Sequence, residues 1–275
     1  LKDIIDSEAF SVVRLSKIYR QAESSHIVLN AHKINAGELI TLDNKNKDFF
    51  FFEKKDVRSV MGALVYLVKT RLPENIGASP FEIQVLTPMR KGELGVEHLN
   101  EVLQYYLNPA SESKKEKEGR TGVFREGDKV MQVKNNYKLE WKITNAKGFS
   151  IEEGLGVFNG DMGIIKQINT YSERITVVFD ENREAEYPFS SLDELELAYA
   201  ITIHKSQGSE YPAVVLPLLS GPPILCNRNL LYTAITRAQK CVAIAGRQSM
   251  VEQMIHNETE QKRYSGLNDC LKEGL

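Results

Sequence analysis

The chain has 275 residues, of which 42% are hydrophobic and 26% are charged, a composition typical of one large or two modest folded domains. No apolar run reaches the roughly 20 residues that cross a bilayer, which argues against a membrane protein. The net charge of −2 does not favour a protein that coats itself in nucleic acid, so a nucleic-acid site must come from particular residues.

The cysteines, Cys226, Cys241 and Cys270, are too widely spaced for a metal site. We therefore expect no metal ligands and a reducing, cytoplasmic setting.

The first residues predict a strand followed by a helix. The apolar run at residues 12–15 predicts a short buried strand. A helix is expected after it, capped by Ser24 or Ser25 and ended by Gly37. Because the chain begins at Leu1 and not at a methionine, we also expect it to be part of a longer protein.

A second helix, a strand and a third helix follow. The second helix begins at Asp56 and is predicted to stop at Pro73. Residues 83–86 form the next strand, which continues into a polar turn at residues 87–92. The third helix closes at residues 108–109. This alternation of helix and strand is typical of an α/β domain.

The middle of the chain differs from the first part in composition and in the spacing of its predicted strands. Residues 111–122 are charged and poor in apolar side chains, which predicts a solvated linker. After them come short strands and turn signals. Strands are predicted at residues 129–134, 163–168, 174–179 and 184–189, with hairpin turns at Asn159-Gly160 and Asp180-Glu181-Asn182. This spacing predicts a small all-β barrel of about 70 residues.

The last part returns to helix and strand. Residues 214–218 and 242–245 are compact apolar runs typical of buried parallel strands, and residues 229–238 fit a helix between them. The simplest architecture is an α/β fold in which a core made of residues 1–118 and 190–275 is interrupted by a barrel at residues 119–189.

Two sequence features bear on the binding of nucleotide phosphates, namely a glycine-rich loop and a pair of carboxylates. The glycine-rich loop that cradles nucleotide phosphates is absent, because His204 stands where Lys205-Ser206 would need a preceding glycine. Residues 177–181 resemble an apolar strand ending in magnesium-binding carboxylates, but Asp180 and Glu181 fit a polar hairpin tip better. The chain alone is therefore predicted to lack a phosphate-cradling loop.

Three ordered segments carry the strongest signal. They are residues 19–21 (YRQ), residues 200–212 (AITIHKSQGSEYP) and residues 230–238 (LLYTAITRA). In this order they resemble motifs IV, V and VI of superfamily 1 helicases. Gln207, residues 86–108 and residues 158–163 (FNGDMG) resemble the RecD-like branch in particular. The resemblance covers nearly the whole chain.

That resemblance implies a RecA-like second motor core with an inserted SH3-like barrel. It implies ATP as the nucleotide, with Mg²⁺ held mainly by an N-terminal RecA-like core of the same protein. Arg20 and Arg237 correspond to arginines that meet the γ-phosphate, where paired guanidinium donors answer the spread charge. Gln207, Gly208 and Glu210 correspond to nucleotide-site residues, Gly208 by permitting close backbone approach and Glu210 by meeting the sugar.

Single-stranded DNA is the implied track, with 5′ to 3′ travel in the RecD-like branch. The expected contacts are Thr87, Arg90, Thr202 and His204, since hydroxyls and cations at strand ends are common phosphate donors.

The insertion offers further candidates whose roles stay open. Tyr137 and Trp141 fit either bases stacked in a DNA channel or buried barrel aromatics. Lys129, Lys134 and Lys138 fit either a DNA-lining stripe or a solvated face. Two alternatives to a RecD-like motor also stay open, namely a Pif-type helicase and a motor-derived module that docks a protein without hydrolysis. A UvrD-type helicase fits less well, because its insertion is larger and helical.

Overall fold

The computed structural model of the chain describes residues 2–13, 25–120, 122–145, 148–259 and 266–273. The helices are α1 (Lys2–Asp6), α2 (His26–Ala36), α3 (Val57–Tyr66), α4 (Leu72–Ile76), α5 (Val96–Leu107), α6 (Arg228–Ile235), α7 (Gln248–His256) and α8 (Leu267–Lys272). The strands are β1 (Phe49–Glu53), β2 (Ile83–Thr87), β3 (Glu116–Glu118), β4 (Val123–Arg125), β5 (Lys129–Gln132), β6 (Asn136–Thr144), β7 (Ser150–Val157), β8 (Met162–Asn169), β9 (Arg174–Phe179), β10 (Glu184–Pro188), β11 (Leu195–Leu197), β12 (Ala200–Thr202), β13 (Tyr211–Leu218) and β14 (Ala238–Gly246).

The core is a parallel sheet of five strands in the order β1-β14-β13-β2-β12. Side chains alternate between its two faces, as the pleat requires. Val214 and Leu216 pack against α2, α6 and α7, whereas Val215 packs against α3 and α5. Burial on both faces explains the apolar runs of β13 and β14, and the predicted parallel core is confirmed.

Local end signals fix the first helix of the core. Ser25 caps α2 by accepting a hydrogen bond from the Ile27 N–H, and Gly37 ends the helix with a φ of 76°. Both were predicted, and both are confirmed. Of the strand predicted at residues 12–15, only residues 12 and 13 are described, and they belong to no strand.

The prediction that Pro73 stops the second helix is wrong. A π-helical turn at Leu67–Arg71 joins α3 to α4, and the Leu72 N–H donates to Leu67 O. This change of hydrogen-bond register puts Pro73 in the first turn of α4, where a missing N–H costs little. The helix ends instead at Gly77, whose φ is 66°.

The insertion is an antiparallel sheet of seven strands in the order β11-β5-β8-β9-β10-β6-β7. The hairpin turn at residues 180–182 between β9 and β10 is confirmed. The hairpin predicted at Asn159-Gly160 is wrong, because that turn joins β7 to β8, which are not neighbours. The Gly160 N–H donates instead to Gln132 O at 2.9 Å, which ties the turn to the end of β5.

Two further features of the middle segment depart from prediction. The predicted linker at residues 111–122 contains β3, which pairs with β4. The antiparallel sheet extends to β11, which lies beyond residue 189 and pairs with β5. The domain boundaries themselves stay a prediction.

A buried polar junction joins the insertion to the core. Asp128 accepts hydrogen bonds from Gln104 Nε2, Asn108 Nδ2, the Arg125 N–H and Tyr199 OH, at 2.6–2.9 Å. Burial raises the pKa of this carboxyl. Because buried donors and acceptors need partners away from water, the four bonds to this one carboxylate tie the insertion to the core.

Candidate nucleotide and nucleic-acid interface

Two neighbouring strands of the core end at the same level. Thr202, the last residue of β12, lies opposite Thr87, the last residue of β2. The turn after β2 carries Arg90, and the 3₁₀ turn after β12 begins with Ile203 and carries exposed His204. The sheet topology thus brings the residues predicted to contact DNA to its carboxyl edge.

Thr87 has a different task from the one expected. Its side chain is fully buried. The hydroxyl donates to Leu94 O at 2.7 Å and accepts from the Met89 N–H at 3.3 Å. Because the hydroxyl is used inside the turn, Thr87 orders the loop that carries Arg90, and we correct its expected role as a phosphate donor.

Thr202 has a similar local task but stays partly accessible. Its Oγ1 accepts from the Lys205 N–H at 3.3 Å and caps the 3₁₀ turn. The cap fixes the direction of the turn, so that His204 and Lys205 emerge beside Thr202.

A carboxylate joins the two cations of this edge. Arg90 Nη2 lies 2.5 Å from Glu196 Oε1, and Lys205 Nζ lies 3.1 Å from Glu196 Oε2. Glu196 belongs to β11, an edge strand of the antiparallel sheet. Burial alone raises the pKa of Glu196, but Arg90 and Lys205 outweigh it and hold the pKa of this carboxyl below its usual value. Glu196 is therefore ionised at neutral pH.

A second cluster forms at the amino edge of the sheet, where β13 and β14 begin. Arg237 directly precedes β14, and the Tyr211 N–H donates to Arg237 O at 2.9 Å. The guanidinium donates from Nη1 to Ser209 O and from Nε to Thr233 O, each at 3.3 Å. These bonds are long for charged donors and hence weak.

The helix that carries Arg237 is shorter than predicted. It ends at Ile235, so Arg237 lies two residues beyond α6 and not within it. The Arg237 N–H still bonds Ala234 O at 3.2 Å, which continues the turn. The side chain is thereby placed against residues 207–210.

The loop beside Arg237 is open to solvent. Gly208 has a φ of 92°, and a Cβ placed there would meet no atom within 4 Å. Gln207 and Glu210 are exposed, and Glu210 Oε2 accepts from Gln239 Nε2 at 3.1 Å. The structure thus brings Gln207, Gly208, Glu210 and Arg237 together. Arg20 lies outside the described residues.

One segment connects the two clusters. Residues 203–210 leave the carboxyl edge after Thr202 and reach the amino edge at Tyr211. The two clusters are therefore linked by a single short stretch of main chain.

The two aromatic residues that were predicted as stacking candidates in the insertion lie in different environments. Tyr137 is 68% exposed, and its ring meets Phe158 edge-on at 5.5 Å. Trp141 is half-buried against Gly154 and under the Arg183 guanidinium, which is 5.6 Å from the ring centroid. Tyr137 is therefore available to a ligand, whereas Trp141 has a packing task. Phe158 was not predicted as a candidate for stacking on bases.

The three lysines that were predicted either to line DNA or to face solvent also differ in exposure and in their partners. Lys129 is 5% exposed, and its Nζ donates to Gln84 Oε1 at 2.8 Å, so neither expected role fits it. Burial lowers its pKa to about 7. Lys134 pairs with Asp193 on the surface, and Lys138 is exposed.

Among the described residues, neither a metal-binding cluster nor a membrane-spanning helix is present. No group of three or more His, Cys, Asp or Glu side chains there is placed to hold a metal ion. No helix in the same ranges has the length and apolar character needed to cross a membrane.

Comparison with known proteins identifies the architecture. A model of the ATP-dependent RecD-like DNA helicase SH3 domain matches residues 99–179. A model of the UvrD-like helicase C-terminal domain matches residues 197–245. The crystal structure of Pif1 helicase from Bacteroides in complex with ADP-AlF3 and ssDNA has a similar fold. Its TM-score is 0.50 at 20% identity, over 89% of this chain and 54% of that one. A RecA-like core with an SH3-like insertion defines the chain as a superfamily 1 helicase portion.

Curated relatives give the family. The ATP-dependent RecD2 DNA helicase of Deinococcus radiodurans is 33% identical over 240 residues, which are 87% of this chain and 29% of that protein. The RecBCD enzyme subunit RecD of Mycolicibacterium smegmatis is 30% identical over 191 residues, which are 70% of this chain and 29% of that protein. The chain thus spans less than a third of the length of these relatives. It belongs to the RecD-like helicases and corresponds to a C-terminal portion of them.

Proposed function

We propose that this chain is the C-terminal motor portion of an ATP-dependent DNA helicase that moves 5′ to 3′ along single-stranded DNA in the cytoplasm. The observation that supports this most directly is the pairing of two clusters across one sheet. Arg90, Thr202 and His204 lie at the carboxyl edge, Arg237 lies at the amino edge, and residues 203–210 connect them.

The nucleotide side of the proposal rests on Arg237 and its loop. An N-terminal RecA-like core of the same protein would hold ATP and Mg²⁺, and ATP would be the phosphoryl donor. Arg237, together with Arg20, stabilises the charge that spreads over the γ-phosphate. Gly208 lets the backbone approach the nucleotide, and Glu210 meets the sugar. The long hydrogen bonds of Arg237 to main-chain oxygens are exchanged easily for stronger ones to phosphate.

The DNA side rests on groups that read no sequence. Arg90 supplies a cation, and Thr202 and His204 supply polar groups beside it, all suited to phosphate and sugar. Gln207, on the connecting segment, passes changes between the two ends. Opening and closing of the cleft toward the N-terminal core then advances the strand.

The test is a fluorescence titration of labelled single-stranded DNA with this chain across a salt series. Binding should weaken steeply with salt and should be lost in Arg90→Ala. Arg71→Ala, which removes an exposed arginine from the π-helical turn, is the matched control and should bind like the wild type. Absence of binding at every salt concentration would contradict a DNA-gripping role and favour a module that docks a protein.

A second measurement concerns catalysis. Because the phosphate-binding loop is absent from its sequence, the chain alone should not hydrolyse ATP. DNA-stimulated ATP turnover by the purified chain would contradict the division of work between two cores.

A further inference from the structure

The carboxyl edge contains an anion of its own where the proposed track would supply one. Glu196 contacts both Arg90 and Lys205, one with each carboxylate oxygen. Glu97 adds a second carboxylate, 3.7 Å from Arg90 Nε. Two cations thus face two carboxylates, and the edge proposed to grip a polyanion carries no net charge from these four side chains.

The cations and Glu196 come from different units. Arg90 and Lys205 belong to turns that follow strands β2 and β12 of the parallel sheet, whereas Glu196 is on β11, an edge strand of the antiparallel sheet. Glu196 is 18% exposed, and Arg90 is 46% exposed. The arginine side chain is therefore much more accessible to an incoming anion than the carboxylate is.

We propose that Glu196 is an internal counter-anion for Arg90 and Lys205 that a DNA phosphate displaces. This inference rests on the proposed function, because it concerns the same DNA-binding edge. A phosphodiester presents two non-bridging oxygens much as a carboxylate does, so it takes the same two donors. The released carboxylate stays nearby on β11 and competes for the cations again.

Such competition suits a protein that moves along its ligand. A motor must release each phosphate as it advances, and a cation with a ready internal partner is released without being left unpaired. Glu196 therefore weakens the grip and speeds dissociation, and it makes both depend on where β11 holds the carboxylate.

The test replaces Glu196 by its uncharged isostere in the 275-residue chain. Glu196→Gln should bind labelled single-stranded DNA on the order of tenfold more tightly at low salt. It should also dissociate more slowly, and the slope of log K against log salt should steepen by about one phosphate contact. The matched control is Glu101→Gln, which removes the same charge from an exposed position on α5 without touching Arg90 or Lys205. It should change the affinity less than twofold.

Further variants separate the explanations. Adding Arg90→Ala to Glu196→Gln should abolish the gain, because the freed cation is then gone. If Glu196→Gln does not fold, Glu196→Asp keeps the charge on a shorter side chain and should bind more tightly than the wild type.

Three outcomes would overturn the inference. DNA binding that is unchanged or weaker in Glu196→Gln overturns it and leaves the proposed function standing. A gain equal to that of Glu101→Gln reduces it to general electrostatics and overturns it as well. Failure of both the wild type and Glu196→Gln to bind at the lowest salt contradicts the DNA-gripping role in the proposed function, and overturns the inference with it.

Discussion

The buried Lys129 predicts a pH dependence of stability that a single substitution should remove. Its side chain lies at the junction of the insertion and the core, donates to Gln84 Oε1 at 2.8 Å, and lies 6.0 Å from the centre of the Tyr211 ring. Burial lowers its pKa from 10.5 to about 7, and only Glu82 opposes this shift. Lys129→Met keeps the length of the side chain and removes the titrating amine.

The sign follows from proton binding. Between pH 7 and pH 10.5 the unfolded chain keeps the Lys129 proton while the folded chain has lost it. The unfolded state therefore binds more protons, and the free energy of unfolding rises with pH. From pH 7 to pH 9 the gain is about 2 kcal/mol, since each unit of pH within the window is worth up to about 1.4 kcal/mol.

Urea unfolding of both proteins at pH 7 and pH 9 measures the effect. The wild type should gain about 2 kcal/mol relative to Lys129→Met. The loss of the donor to Gln84 costs about 1–3 kcal/mol at either pH and cancels from the difference. Burial also raises the pKa values of Cys226 and Cys241, but these act equally in both proteins. Lys138→Met, at an exposed position, should follow the wild type. Parallel pH profiles for the wild type and Lys129→Met would refute a neutral, buried Lys129.

Three more predictions concern the junction, the backbone and the nucleotide site. Asp128→Ala removes the acceptor that four buried donors share and should lower the free energy of urea unfolding by roughly 3 kcal/mol, whereas exposed Asp193→Ala should change it little. Gly62→Ala, in open space on α3, should raise the free energy of unfolding by about 0.5–1 kcal/mol, whereas Gly246→Ala would overlap a main-chain oxygen of β13 and should prevent stable folding. In a longer protein that includes the N-terminal core, Arg237→Ala should abolish ATP hydrolysis and keep single-stranded DNA binding; loss of both, or of the fold, would make Arg237 structural.

The sequence predicted those helices and strands whose formation depends on residues close to one another in the chain. Ser25 and Gly37 delimit α2 because capping and left-handed backbone depend on neighbours within a few residues. The apolar runs of β13 and β14 predicted buried strands, since parallel strands are covered on both faces.

The departures have non-local causes. Pro73 stays inside a helical stretch because a π-helical turn upstream changes the register. The hairpin of β6 and β7 was missed because most of β7 is exposed, which leaves no alternation of apolar and polar residues to detect. Lys129 resembles a surface lysine in sequence, and its burial depends on Gln84 of a distant strand.

The candidate site divides in the same way. The motifs around Gln207 and Arg237 are short runs of sequence, so their meeting at one edge of the sheet could be anticipated. Glu196 lies in no motif, because what distinguishes it is contact with Arg90, 106 positions away. A carboxylate defined only by its partners has no signature along the chain.

The interruption of the parallel sheet has a consequence for how the chain is made. Val85 pairs with Ala200, and the whole insertion lies between them in sequence. Once the insertion has folded, however, the Ala198 N–H donates to Lys129 O at 2.8 Å. This bond holds the beginning and the end of the insertion close to each other. Closing the loop from β2 to β12 then costs far less chain entropy than its length suggests. On the ribosome we expect the insertion to fold ahead of the core, while the apolar strands β1 and β2 wait for partner strands that are made later and need protection from aggregation in the meantime.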